Sequence, residues 1–291
     1  MERTEYRMRR AFTLIELLVV VAIIALLIAI LLPALSSARL QAQIIQNSTH
    51  HRGLHQAFVT FGHDNDTLYP GLELSGSTVS LIPGKIKGVP TSASQVDGSW
   101  PATRFALVVV GGYVPPEYVI NPADPYPREA WTFGRTGLDS DGTPFDWRNM
   151  SYAVEEWVGG GNGINKHKVA TANTEDMGVQ TPVIADRIID VINDNYGNPD
   201  AYIGVYSSSP GQFITSLAWN DGHTTISRSP LVDTKFGPYR NTDDNIYQRG
   251  NIDASVVTTP TPKASAGNVN SKFAYRTPLS HQSPEDEANP Q

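Results

Sequence analysis

The chain has no cysteine among its 291 residues, so it has neither a disulfide framework nor a thiol nucleophile. It also lacks an excess of positive charge. Lys and Arg number 22 against 29 Asp and Glu, for a net charge of −7, and generic nucleic-acid binding, which depends on phosphate neutralisation by basic side chains, is not expected. There is no Gly-x-Ser-x-Gly elbow, and the run Gly159-Gly160-Gly161 has no Lys-Ser or Lys-Thr after it. No acid stands between His51 and His55 where a His-Glu-x-x-His zinc hydrolase requires one. Serine-hydrolase, phosphate-loop and zinc-hydrolase chemistry therefore have no support, and no enzymatic activity is expected. One further absence is local: the sixteen residues Leu17 to Leu32 carry no polar side chain at all.

That apolar run is long enough to span a bilayer, which takes about 20 apolar residues as helix. Immediately before it stand Arg9-Arg10-Ala11-Phe12-Thr13-Leu14-Ile15-Glu16. A carboxylate held near the bilayer core costs roughly 2.5–3.5 kcal/mol on insertion scales, so it calls for a partner. The position one helical turn back is Phe12, whose side chain has no charge. Its α-amino group would have one if the chain were cut after Ala11. A secretory signal, with an apolar core of about 7–15 residues and a small-residue cleavage site, fits less well. The run here is longer and the acid lies at the wrong end. An ordinary single-pass anchor explains the length and the arginines but not Glu16.

Over RRAFTLIELLVVVAIIALLIAILLPALSSAR the sequence resembles a type IV prepilin or type II secretion pseudopilin. The resemblance implies cleavage by prepilin peptidase between Ala11 and Phe12, with N-methylation of Phe12. It also implies assembly roles for Glu16, fifth in the mature chain, and for Pro33, twenty-second. Ala11 departs from the family's usual glycine before the cut, which implies slower processing. The family reading has Glu16 meet the terminal amine of a neighbouring subunit; pairing within its own chain is equally compatible with the spacing. Implied partners are prepilin peptidase, other pilin-like subunits, an assembly ATPase and a platform protein, together with membrane lipid. The arginines at 7, 9 and 10 place the N-terminus in the cytoplasm of a bacterial inner membrane, with the head outside. After cleavage, 18 basic and 27 acidic residues remain, a net of −9. The fold expected is α+β and pilin-like: a long N-terminal helix, half transmembrane and half amphipathic, packed on a C-terminal antiparallel β-sheet head.

The expected organisation is a basic leader (1–11), an assembly helix (12–62), a β-rich head (63–256) and a mobile tail (257–291). Leu35, Ala38, Ala42, Ile45, Leu54, Ala57, Phe58 and Phe61 form an apolar stripe at three- and four-residue intervals. Pro33 predicts a kink or local melting, Gly53 a weak point, and Gly62 with the following His-Asp-Asn-Asp the helix stop. Strands are expected at 78–82, Phe105–Val110, Met150–Trp157, Pro182–Ile189, Ala201–Tyr206, Phe213–Trp219 and His223–Arg228. The last two flank the hairpin turn Asn220-Asp221-Gly222. In the tail, Phe273 and Tyr275 are candidates for a docking contact.

The head also resembles large pilin-like proteins with a C-terminal Asp-Gly-His hairpin, through Asn121-Pro122-Ala123-Asp124-Pro125, Ser151-Tyr152-Ala153, Ala185-Asp186-Arg187 and Leu217 to His223. It departs from them at Gly211, where a histidine is usual, and at Asn121, where a cysteine is usual. Asp186 and Arg187 are expected to pair with each other, and His50, His51, His55 and His63 to form a solvated helix surface. Asp139, Asp141 and Asp146 cluster oxygen ligands of the kind calcium takes, as do Asp190, Asn193, Asp194 and Asn195, although polar turn chemistry accounts for either cluster without an ion. A second class of function is a membrane-tethered, non-polymerising module whose head binds a polysaccharide or envelope ligand, supported only by Trp100, Trp131, Trp147 and Trp157.

Overall fold

The fold is that of a computed structural model, which describes residues 14–75, 78–81, 101–125, 130, 145, 149–155, 158–159, 163–164, 178–194, 198–207, 209, 211–236, 239–247 and 273–274. The chain divides into two compact units, 1–43 and 44–291. One α-helix, α1 (Leu14–Asp64), supplies the described residues of the first unit and opens the second. It runs unbroken through Pro33, so the expected melting is absent. The Ser36 hydroxyl donates to the Pro33 carbonyl at 2.9 Å. The helix stops where the sequence predicts. The Asn65 and Thr67 amides both donate to the Gly62 carbonyl, at 2.9 and 2.8 Å, while the Asn65 side chain caps the Phe61 carbonyl at 2.8 Å. Asp66 and Thr67 complete the turn at φ 53° and 63°.

In the second unit, the helix face that is buried differs from the predicted stripe. Leu54, Ala57, Phe58 and Phe61 are in the core as expected, but the face continues upward through His51, Asn47 and Ile44. Ile45 stays outside at 68 % exposure. Asn47, His51 and His55 make this face partly polar, which an apolar periodicity could not reveal.

The remaining elements of the second unit begin with β1 (Leu72–Ser75) and β2 (Thr78–Leu81), which pair antiparallel. A second helix, α2 (Pro101–Val110), follows. It replaces the strand expected at Phe105–Val110. The run Phe-Ala-Leu-Val-Val-Val favours a strand locally, but proline at its first helical position fits a helix N-terminus. Burial of Phe105, Ala106, Val108 and Val109 against one core then outweighs the β-branched propensity. Gly111-Gly112 ends α2: Gly112 has φ 77°, and the Tyr113 amide closes on the Val108 carbonyl at 2.9 Å.

Then come β3 (Tyr152–Glu155), β4 (Val158–Gly159), β5 (Gly163–Ile164), β6 (Pro182–Asp186), β7 (Ile188–Val191), β8 (Tyr202–Gly204), β9 (Thr215–Trp219), β10 (Thr224–Ser227), β11 (Leu231–Phe236), β12 (Tyr239–Asn245) and β13 (Phe273–Ala274). One five-stranded antiparallel sheet, in the order β10-β9-β6-β3-β13, organises the head. The β9–β10 hairpin forms at the predicted turn, with Gly222 at φ 84°. The tail contributes the short β13, so Phe273 does dock.

Alternation along the strands gives the sheet two apolar faces. Tyr152, Val154, Ile184 and Ala218 join Leu54, Phe58, Phe61, Phe105 and Val109 on the helix side. Ala153, Ala185, Leu217 and Trp219 join Ile188, Val191, Tyr202, Phe213 and Tyr247 on the other side. All five residues of β6 and all five of β9 are buried, as central strands covered on both faces require. The architecture is α+β and pilin-like: a long N-terminal helix followed by an antiparallel β head, with a second apolar layer beyond the single helix-on-sheet contact expected from sequence.

Gly53 fits the helix against the short 3-10 turn Pro116–Val119. A Cβ at this position would lie 2.5 Å from Cε1 of Tyr118, whose ring stacks on His50 at 4.8 Å. Alanine is intrinsically the better helix former by about 1 kcal/mol, whereas overpacking costs roughly 1–3 kcal/mol. Gly53→Ala is therefore expected to destabilise the head in urea unfolding, and to become neutral or stabilising in a Tyr118→Ala background. Equal effects in both backgrounds would remove the steric explanation.

Candidate functional site

Two regions carry function-bearing chemistry, and each lies within one compact unit. The first is the N-terminal part of α1. Its large apolar side chains from Leu14 to Leu35 are exposed around the helix, between 47 % at Val20 and 87 % at Leu14. Glu16 sits in its first turn. By length and composition this helix can cross a membrane. Ala11 and Phe12 lie outside the described residues.

The second region is a buried polar cluster in the head, and sequence reasoning missed it. Its centre is Asp186, at the end of β6 and inaccessible to solvent. Oδ1 accepts hydrogen bonds from the side-chain amides of Asn47, on α1, and Asn121, each at 2.8 Å. Oδ2 accepts the Ser216 backbone amide of β9 at 2.6 Å, and the Asp186 carbonyl accepts the Tyr247 hydroxyl at 2.6 Å. Tyr152 donates its hydroxyl to Asn47 Oδ1 at 2.6 Å, which orients the Asn47 amide toward the carboxylate. Burial, reinforced by the nearby Asp186 charge, holds the Tyr152 hydroxyl well above its ordinary pKa, so it remains a donor. The same two causes act on Tyr206, which accepts from Asn121 at 3.2 Å.

His51 is fully buried rather than solvated: its Nε2 lies 3.4 Å from Asp186 Oδ1, and its ring is edge-on to Tyr152 at 4.8 Å. The expected Asp186–Arg187 pair does not form. Arg187, between β6 and β7, instead makes a bidentate, buried ion pair with Asp124, with Nε to Oδ2 at 2.9 Å. Asn121 Oδ1 accepts the Ala123 amide at 2.8 Å and so shapes the loop that presents Asp124. The motif pieces around Asn121, Tyr152 and Asp186 thus converge on one network, although they are dispersed along the chain.

The other histidines of the helix are also mostly engaged. His50 donates from Nδ1 to the Ile120 carbonyl and His55 from Nε2 to the Asn220 carbonyl, each at 3.0 Å. Tyr69 donates its hydroxyl to the Asn220 side chain at the same hairpin turn, and only His63 of the four is exposed. The solvated histidine surface is therefore corrected to a packed one: its partners lie from 70 to 165 positions away, beyond the reach of helical spacing. Among the described residues no three metal-ligating side chains come together. Asp139, Asp141 and Asp146 lie outside those residues, as do Trp100, Trp131, Trp147 and Trp157. In the second oxygen cluster, Asn193 adopts φ 53°, a turn conformation.

A family model described as the prokaryotic N-terminal methylation motif matches residues 6–32. Motif and helix together fit a membrane-anchored protein, with one helix among the described residues long and apolar enough to cross a bilayer. It is prepilin- or pseudopilin-like, and the motif is one of structural subunits that prepilin peptidase processes and that assemble with other pilin subunits. No curated protein and no solved structure matches the chain.

Burial lowers the pKa of His50, opposed by its bond to Ile120 and aided by His51; burial likewise lowers that of His55, opposed by its bond to Asn220 and by Asp221. The unfolded chain therefore takes up protons at these two positions near the ordinary value of 6.5, before the folded head does. Their contribution is complete above pH 6.5 and is lost as pH falls through the folded values. Urea midpoints should accordingly drop between pH 7.5 and pH 5. His55→Gln, which keeps a donor for Asn220 but cannot titrate, should reduce that drop; an unchanged pH dependence would contradict a role for His55.

Proposed function

We propose that the chain is a structural subunit of a type IV pilus or type II secretion pseudopilus, cleaved between Ala11 and Phe12, methylated at Phe12 and polymerised through α1. The observation that carries this reading is the exposure of every large apolar side chain between Leu14 and Leu35. Left in water, sixteen or more such groups would cost on the order of tens of kcal/mol, at roughly 1.5–3 kcal/mol each. Lipid removes that cost while the subunit waits in the membrane. Once the helix leaves the bilayer, only the helices of neighbouring copies supply an equivalent cover.

Association inside lipid has no hydrophobic driving force, because acyl chains are as apolar as leucine. Extraction therefore needs work, which is the part played by a cytoplasmic ATPase acting through a platform protein. Glu16 supplies what apolar packing lacks, a fixed axial position, because its carboxylate finds a counter-charge at one height only: the Phe12 amine created by cleavage. In this reading the N-terminus faces the cytoplasm, the head faces outward, and the protein has no catalytic function.

Glu16→Ala tests the register role. The variant should be processed like the wild type but should yield at least about tenfold less filament in sheared surface fractions, the change expected for loss of roughly 1.4 kcal/mol per joint. Wild-type filament yield from a processed variant would remove Glu16 from the account.

A further inference from the structure

The outer edge of β3 is closed by two residues from the far end of the chain. Phe273 lies opposite Glu155 and Ala274 opposite Val154 in antiparallel register. Without them β3 would be an edge strand, with Tyr152, Ala153 and Val154 buried but its outer hydrogen-bonding groups unpaired. The opposite edge of the sheet is β10, whose residues are largely part-exposed and polar, as an edge facing water should be. Among the described residues, β13 is the element paired to the outer edge of β3.

In sequence, residues 248–272 separate that strand from Tyr247, a span rich in Thr, Pro, Ser, Ala and Asn. A span of this length reaches at most roughly 80 Å at about 3.3 Å per residue. Exchanging a terminal strand between identical copies reproduces every contact it makes in its own chain. The balance between the two arrangements then depends on how many copies lie within reach, and linked or crowded copies present one another at high effective concentration.

We propose that the β3 edge is a strand-docking slot and that a second copy of this chain fills it with its own Phe273–Ala274 segment. Resting in part on the filament reading above, which places copies side by side, this makes the C-terminal segment a lateral tie between heads, separate from the helix contacts. The slot is recognised by main-chain pairing, as in other strand-addition interfaces.

The absence of cysteine makes the test clean. Two differently tagged full-length chains, one carrying Glu155→Cys and the other Phe273→Cys, are co-expressed and oxidised in intact membranes. Directly opposed residues in an antiparallel pair lie about 4.5–5.5 Å apart at Cα, within disulfide range. A mixed-tag disulfide dimer at least about tenfold above a Glu155→Cys and Gln282→Cys control is expected. Val154→Cys with Ala274→Cys provides a second pair in case the first disturbs the fold. Monomers only, or a mixed-tag dimer no more abundant than in the control, would overturn the proposal. Wild-type filaments are scored in parallel in sheared fractions. Filaments without the mixed dimer would overturn the slot alone, the dimer without filaments would overturn the polymer reading while sustaining the slot, and the loss of both would overturn both.

Discussion

The constraint on which the rest depends is an apolar helix segment whose large side chains are all exposed. From Leu14 to Leu35 they face outward around the whole circumference. A soluble protein would hide such a surface in its core, and a simple anchor would not place an acid at its start. In the proposed reading, lipid satisfies the surface first and packing among copies satisfies it afterwards. Glu16 would make the second arrangement specific, because a carboxylate in hydrocarbon tolerates few positions.

The same helix serves the head by different chemistry. Past Gln43 its buried face includes Asn47, His51 and His55, and the carboxylate of Asp186 gathers the first two. Asn47 from the helix, Asn121 from a loop and the Ser216 amide from a neighbouring strand all donate to one side chain. Each of these donors would cost about 1–3 kcal/mol if left buried and unpaired. The network therefore fixes where each element sits more sharply than apolar packing alone, which tolerates sliding. In a chain without disulfides, this cluster and the buried Arg187–Asp124 pair cross-link segments that are distant in sequence.

Much of this was legible beforehand, and the exceptions have physical causes. Helix α1 and its stop were readable because their signals are local: an uninterrupted apolar run, and Asn and Asp suited to a left-handed turn. The β9–β10 hairpin was readable from Asn220-Asp221-Gly222 for the same reason. The Phe105–Val110 segment was misread because a β-branched run looks like a strand until its core partners are known. His51 and His55 were misread as solvated because their partners lie far along the chain, so helical spacing shows a polar patch and not its cover. Asp186 and Arg187 were paired wrongly by adjacency, whereas each finds partners far along the chain: Asn47, Asn121 and Ser216 for Asp186, and Asp124 for Arg187. The fragments around Asn121, Tyr152 and Asp186 suggested a shared pattern without showing that they meet.

The account comes down to the chemistry of one terminus. Mass spectrometry of the protein isolated from native membranes reads it directly. The account predicts a chain that begins at Phe12 and carries one added methyl group on its amine. A mature population that still begins with the arginine-rich leader would contradict it, because Glu16 would then have no counter-charge from cleavage.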